Sequence, residues 1–160
     1  MIISISGTPG TGKTEAAGAL ADRLGWRLVE LNALAEEKGL YSGYDEARRC
    51  RIVDVGAIGK EVAEMAKSSR NLILESHYAH DMPCDVAVIL RASPVELRKR
   101  LVGKGWTRQK IEENIQSEIM EVCRSEALEQ GRDVLEVDTT GKTAKMVAED
   151  IAKKLRLAKS

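Results

Sequence analysis

The stretch Ile2-Ile3-Ser4-Ile5-Ser6-Gly7-Thr8-Pro9-Gly10-Thr11-Gly12-Lys13-Thr14 restricts the possible folds more than any other part of the chain. An apolar run suited to a buried strand ends at a glycine-rich turn, and good helix formers follow from residue 15 to 24. Glycines let the backbone turn tightly enough for successive N–H groups to converge on phosphate oxygens. The helix start adds unpaired N–H groups and the positive end of its dipole. The spacing G-x-x-x-x-G-K-[ST] therefore predicts a triphosphate cradle made of Gly7, Pro9, Gly10, Thr11, Gly12, Lys13, Thr14 and Glu15. Lys13 is expected to reach the β- and γ-phosphates and Thr14 to offer its hydroxyl to a magnesium ion.

Strand, loop and helix in this order open a βαβ unit, which Arg27-Leu28-Val29-Glu30-Leu31 completes as a second strand. At 160 residues the chain is long enough for one domain with a real core and short for two. Its apolar fraction is 43% with only 3% aromatic residues and no Phe, so the core must come from Val, Ile, Leu and Ala, as suits helices on a parallel sheet. Lys plus Arg and Asp plus Glu both total 25, so no global attraction to nucleic acid or anionic membrane follows. Cys50, Cys84 and Cys123 show neither a C-x-x-C pair nor zinc-type spacing, which predicts reduced thiols and a cytoplasmic setting. No apolar run has the length of a membrane span.

Asn32 is placed to cap a helix to about Lys38, and Gly39-Leu40-Tyr41-Ser42-Gly43-Tyr44-Asp45 reads as a loop. Arg48, Arg49 and Arg51 follow, either on a solvated helix face or as phosphate contacts. Ile58, Val62, Met65 and Ala66 repeat at helical spacing over about 57–68 and belong to the core. Asn71-Leu72-Ile73-Leu74-Glu75-Ser76 is an apolar strand ending in a carboxylate. In parallel sheets of this class, the strand beside the loop-bearing one ends with an acid that holds magnesium, usually through water. Glu75 fits that place. His77 follows and either orients a water near the γ-phosphate or holds its loop; a Glu75, His77, His80 metal group lacks a known spacing.

After a nearly continuous apolar strand at 85–91, Ser93 caps a helix with Pro94 in its first turn. From Arg98 to Lys110 there are six cations and no acid. Within that span Gly103-Lys104-Gly105-Trp106 interrupts the helix. It reads as a short lid over a triphosphate, as a plain helix–helix turn, or as a patch for nucleic acid. Thr107 opens a long helix with a stripe of Ile111, Ile115, Ile119 and Val122, reaching about Leu128. A last strand at 134–137 leads to a closing helix from about Lys142.

The motifs at 7–14, Leu40-Tyr41-Ser42-Gly43-Tyr44-Asp45-Glu46, Leu74-Glu75-Ser76-His77 and Glu113-Asn114-Ile115-Gln116-Ser117-Glu118-Ile119 resemble those of small adenylate kinases of the nuclear, ribosome-assembly type and their archaeal relatives. The likeness covers nearly the whole chain. It implies a P-loop NTPase fold, with a five-stranded parallel sheet flanked by helices. It also implies an acceptor-binding segment at about 30–53, a lid at about 103–113, and transfer of the γ-phosphoryl of ATP to AMP with magnesium. Residues 1–160 would then form one kinase domain.

On that likeness Lys13, Glu75 and His77 are the catalytic set, Thr14 and Glu75 the metal set, Arg100 and Lys104 the lid side of the ATP site. Tyr41, Gly43, Tyr44, Arg48 and Arg49 are the acceptor set. The likeness further implies ATP hydrolysis and partnership with a small-subunit ribosomal protein and pre-ribosomal RNA. This chain departs from the family pattern at Glu75, where Asp is familiar, at Lys104, where an arginine stacks on adenine, and at Glu36, where an arginine follows Leu-Ala. An ATP-driven assembly factor and a kinase of another small acceptor are the competing readings. A GTPase is disfavoured because no Asn-Lys-x-Asp motif is present.

Overall fold

In the computed structural model, which describes residues 1–158, five apolar runs pair into one parallel sheet. Strand β1 (Ile2–Gly7) lies at its centre between β5 (Leu72–Glu75) and β6 (Val86–Arg91), with β2 (Arg27–Glu30) and β7 (Val134–Asp138) at the edges. Crossovers of parallel strands need intervening helices, and the chain supplies them on both faces. On one face α1 (Lys13–Leu24) and α7 (Ala144–Lys154) cover Ile3, Ile5, Ile73, Val88 and Leu90. On the other, α2 (Leu31–Lys38) and α3 (Val55–Ser68) cover Leu72, Leu74 and Met82. Ile73 points to one core and its two neighbours to the other, the strand alternation that requires Leu72, Ile73 and Leu74 all to be apolar. Each such side chain contributes about 1.5–3 kcal/mol through burial.

Several local expectations are corrected by tertiary packing. Of the expected loop at 39–45 only Gly39 and Leu40 lie outside a regular element: Tyr41–Asp45 is strand β3, antiparallel to β4 (Cys50–Val53), with Tyr41 opposite Val53 and Tyr44 opposite Arg51. The pattern was masked because the hairpin faces solvent on most of its surface and carries a register shift between Tyr41 and Gly43. The arginines therefore belong to a hairpin, not to a helix face. Asn32 lies inside α2, and Glu30 occupies the cap without a side-chain bond. Helix α3 starts earlier than the apolar stripe suggests because Asp54 caps it, accepting from the Ala57 N–H at 2.9 Å.

Helix α4 (Pro94–Gly103) is capped by Ser93, and Gly105 turns in the left-handed region before Thr107 caps α5 (Arg108–Ile119). The long helix ends there. Glu121 takes a φ of 54° and starts a separate α6 (Val122–Glu129), leaving Ile119 55% exposed instead of in the apolar stripe. The closing helix starts two residues later than the composition suggests, with Thr143 as its cap. All three cysteines are free thiols.

Candidate active site

The parallel register determines what surrounds the glycine-rich turn. Ile5 pairs with Glu75 and Gly7 with Leu90, so β1, β5 and β6 end together and deliver the loop, the carboxylate and α4 to one rim of the sheet. Ligands in open α/β sheets gather at this carboxyl edge. The loop approaches β6 so closely that a Cβ on Gly7 would lie 2.6 Å from the Leu90 carbonyl oxygen. Gly10 and Gly12 take φ of 93° and 83°, conformations that glycine adopts without steric cost.

The Thr8 carbonyl is the internal anchor of the loop. It accepts from the Thr11 N–H at 3.2 Å, the Thr11 hydroxyl at 2.8 Å and the Lys13 ammonium at 3.3 Å. Lys13 sits in a desolvated position that lowers its pKa, with the Glu75 charge the strongest influence in the opposite sense and Lys104 adding to the lowering. Burial pushes the Glu75 carboxyl up, while Lys13 and a hydrogen bond from Thr14 act in the opposite sense. His77 keeps an exposed face, yet desolvation and the Lys13 charge hold its imidazole below the ordinary range, so it is neutral at pH 7.

Two clefts border this centre. The first, about 340 Å³, runs along Gly10, Thr11, Gly12 and Glu15 to Arg100 and Lys104, and is closed by Thr139, Lys142 and Val147. Arg100 is already committed: it donates to the Gly10 carbonyl at 3.3 Å, to the Thr139 hydroxyl and carbonyl at 3.1 Å each, and to Glu96 at 3.0 Å. Gly7 and Pro9 do not line this cleft; Gly7 is buried at the strand end. Thr139 and Lys142 were not anticipated. The turn after the last strand of the sheet was the available signal, since β7 ends at the same rim.

The second cleft, about 630 Å³, lies between α2 and the hairpin and is lined by Asn32, Glu36, Tyr41, Cys50, Arg51, His77 and Tyr78, among others. Of the expected acceptor residues only Tyr41 lines it. Gly43 and Tyr44 lie further along β3, and Arg48 and Arg49 form the turn, where the Arg48 N–H donates to Asp45 Oδ1 at 3.0 Å. Arg51 enters instead, its guanidinium 5.0 Å from the Tyr41 ring centre. The Tyr78 hydroxyl donates to Asn32 Oδ1 at 3.0 Å, which leaves the Asn32 amide N–H groups for other partners.

His80 does not join a metal group. It is buried, its Nε2 is 3.0 Å from Glu126 and its backbone N–H donates to Ser6 Oγ at 2.8 Å. Among the described residues no three His, Cys, Asp or Glu side chains cluster for a metal ion. Nor is any helix long and apolar enough to cross a membrane.

A phosphate-binding loop on the central strand of a parallel sheet, with a lysine and a strand-end carboxylate beside it and a cleft on each flank, defines a P-loop phosphotransferase of the nucleotide-kinase class. A family model described as an AAA domain matches residues 3–121. A Thermococcus onnurineus protein named "Putative adenylate kinase" is 41% identical over 151 residues, spanning 94% of this chain and 82% of the relative. One of the same name from Methanosarcina acetivorans is 38% identical over 159 residues, spanning 96% and 85%. The chain belongs to this family of small archaeal adenylate-kinase-like P-loop proteins. Solved structures share the fold. A shikimate kinase from Bacteroides thetaiotaomicron superposes with a TM-score of 0.66 at 17% identity, covering 98% of this chain and 99% of that one. A deoxyadenosine kinase from M. mycoides gives 0.63 at 16% identity, with the same coverage.

Proposed function

We propose that the chain is an adenylate kinase that moves the γ-phosphoryl group of ATP onto AMP. The observation that carries this reading is a pair of clefts, one along Gly10, Thr11 and Gly12 and one lined by His77, with the Lys13 charge felt at both Glu75 and His77. One runs along the phosphate loop and suits the donor; the other lies under the hairpin and has room for a second nucleotide. The name borne by the relatives favours adenylate as the acceptor.

The Thr14 hydroxyl and Glu75 carboxylate form a donor set suited to a hard cation that takes one or two protein oxygens and fills its shell with phosphate oxygens and water. Magnesium there would neutralise phosphate charge. The protein's own work is positioning and charge stabilisation. Loop amides orient the triphosphate, and Lys13 swings from the Thr8 carbonyl to the phosphates. Arg100 braces the loop against β7 through Gly10 and Thr139, while Lys104 faces the donor cleft. Arg51, stacked on Tyr41, is the cation available to the acceptor phosphate, while Glu36 disfavours an anion on its side of the cleft.

The test is ADP formation from ATP plus AMP with a magnesium salt, repeated with other monophosphates and with shikimate. Two ADP per ATP consumed are expected. Protein that binds ATP and yields none from any acceptor is not a kinase. Hydrolysis without acceptor, stimulated by a small-subunit ribosomal protein, would instead favour the assembly-factor reading, for which the accessible neutral His77 is suited to orient water.

The neutral state of His77 also sets a pH dependence. Its pKa lies below 6.5, so the base-competent form persists as pH falls through the ordinary imidazole range and is lost only below it. The turnover profile should therefore stay flat down to pH 6.5 and bend lower. His77→Asn should remove the bend and slow turnover roughly 10²-fold. An identical bend in the variant would assign the titration to another group.

A further inference from the structure

Helix α5 follows directly on the turn at 103–107, and its last turn carries Glu118, a carboxylate only 3% exposed. Buried carboxylates are retained only when paired and fully hydrogen-bonded. Both oxygens of Glu118 are used. Oε2 accepts from the Thr8 hydroxyl at 2.7 Å, 110 residues away in sequence. Oε1 accepts from Arg91 Nε at 2.5 Å and from the Ala92 N–H at 3.3 Å. Arg91 also donates to the Glu118 carbonyl at 3.0 Å, and to Glu121 and Glu136 at 3.0 and 2.9 Å.

Thr8 is therefore held from two sides. Its hydroxyl is tied to α5, and its carbonyl receives Thr11 and the resting Lys13. Thr8 is itself 3% exposed, so the bond to Glu118 is shielded from water and retains its strength.

We propose that Glu118 is a positioning residue of the phosphate loop: through Thr8 it sets where the loop carbonyl, and hence Lys13, waits for the triphosphate. The Arg91 partner supplies the charge that lets an acid stand beside an anion site. The arrangement also links the loop mechanically to the helix that follows the basic turn, so that motion of that turn is felt at Thr8. This inference rests on residues 7–14 holding a triphosphate and not on the identity of the acceptor.

The test is calorimetric binding of magnesium ATP to Thr8→Val, Glu118→Gln and the double variant, alongside Tm and separate KM values for ATP and AMP. Valine keeps the shape of Thr8 and removes only the hydroxyl. Glutamine keeps its oxygen on Arg91, which preserves the fold, but turns an amide N–H towards Thr8 in place of the acceptor, so Glu118→Gln should also weaken ATP binding several-fold. We expect Thr8→Val to weaken ATP binding about 10-fold, the loss of one hydrogen bond to a charged group. KM for AMP should stay unchanged, while Tm should fall in Thr8→Val, which leaves Oε2 of Glu118 without its donor, and fall less in the double variant. The double variant should bind no more weakly than Thr8→Val, since both changes act on one bond. Wild-type affinity in Thr8→Val, or fully additive losses in the double variant, would overturn the proposal. So would a wild-type protein that does not bind ATP. ATP binding without ADP formation would remove the kinase reading and leave this one to be judged on the binding data.

Discussion

Replacing Lys13 with methionine is expected to lower ADP formation roughly 10³-fold while raising the melting temperature. The first effect follows from electrostatics: a preorganised cation on the transferring phosphoryl group, in a partly dehydrated site, supplies charge stabilisation of that order. The second follows from the same dehydration. The Lys13 pKa is lowered, with burial the largest cause and the attraction of Glu75 too small to cancel it. A group whose folded-state pKa lies below its ordinary 10.5 costs stability at pH 7, and that cost disappears only as pH rises towards 10.5. Methionine fills a similar volume without the charge. A gain of about 1 kcal/mol is expected, the usual sign of a site selected for function over stability. Thermal unfolding and a coupled ADP assay on the same preparation check both halves. A variant that loses activity and melts lower would mean that Lys13 also serves as a structural cation.

The second large effect is expected at Gly7. Gly7→Ala puts a Cβ 2.6 Å from the Leu90 carbonyl oxygen and 2.8 Å from Thr11 Oγ1, at a φ of 151° that side chains rarely adopt. The nearer obstacle is backbone of the adjacent central strand, paired with Gly7 itself, and it cannot swing aside. Overpacking and backbone strain together should cost about 4 kcal/mol, or on the order of 12 °C in Tm. Gly12→Ala is the control. Its φ of 83° is also unfavourable, but a Cβ there meets nothing within 4 Å, so the expected loss is only about 1–2 kcal/mol. Denaturant unfolding of the two variants separates the terms. Equal losses would mean that strain alone, without the clash against β6, limits this loop.

The two glycines look alike in the motif, and this marks a boundary in what sequence can say. The succession of the five sheet strands, the parallel sheet and the approach of Glu75 to Lys13 were legible because each depends on local information: apolar runs, caps, a glycine spacing and the rule that adjacent parallel strands end together. The acceptor side was much less so. The solvent-facing β3–β4 hairpin has little apolar alternation, so Arg48 and Arg49 could not be told from Arg51. Pairing within the hairpin puts Arg51 beside Tyr41 in the cleft and the other two in the turn. Thr139 and Lys142 were missed because the turn after β7 points to a site only once β7 is known to pair with β6 at the same rim.

Sequence alone determined that this chain sets a phosphate loop between a strand of a parallel sheet and a helix, because strand, glycine turn and helix start are contiguous and each is specified by its own residues. Only the tertiary structure decided which distant groups complete that loop. Glu118 reaches Thr8 from 110 positions away, and Arg100 ties Gly10 to Thr139. Such contacts depend on how helices seat against the sheet, a property of the whole packed core that no single stretch encodes.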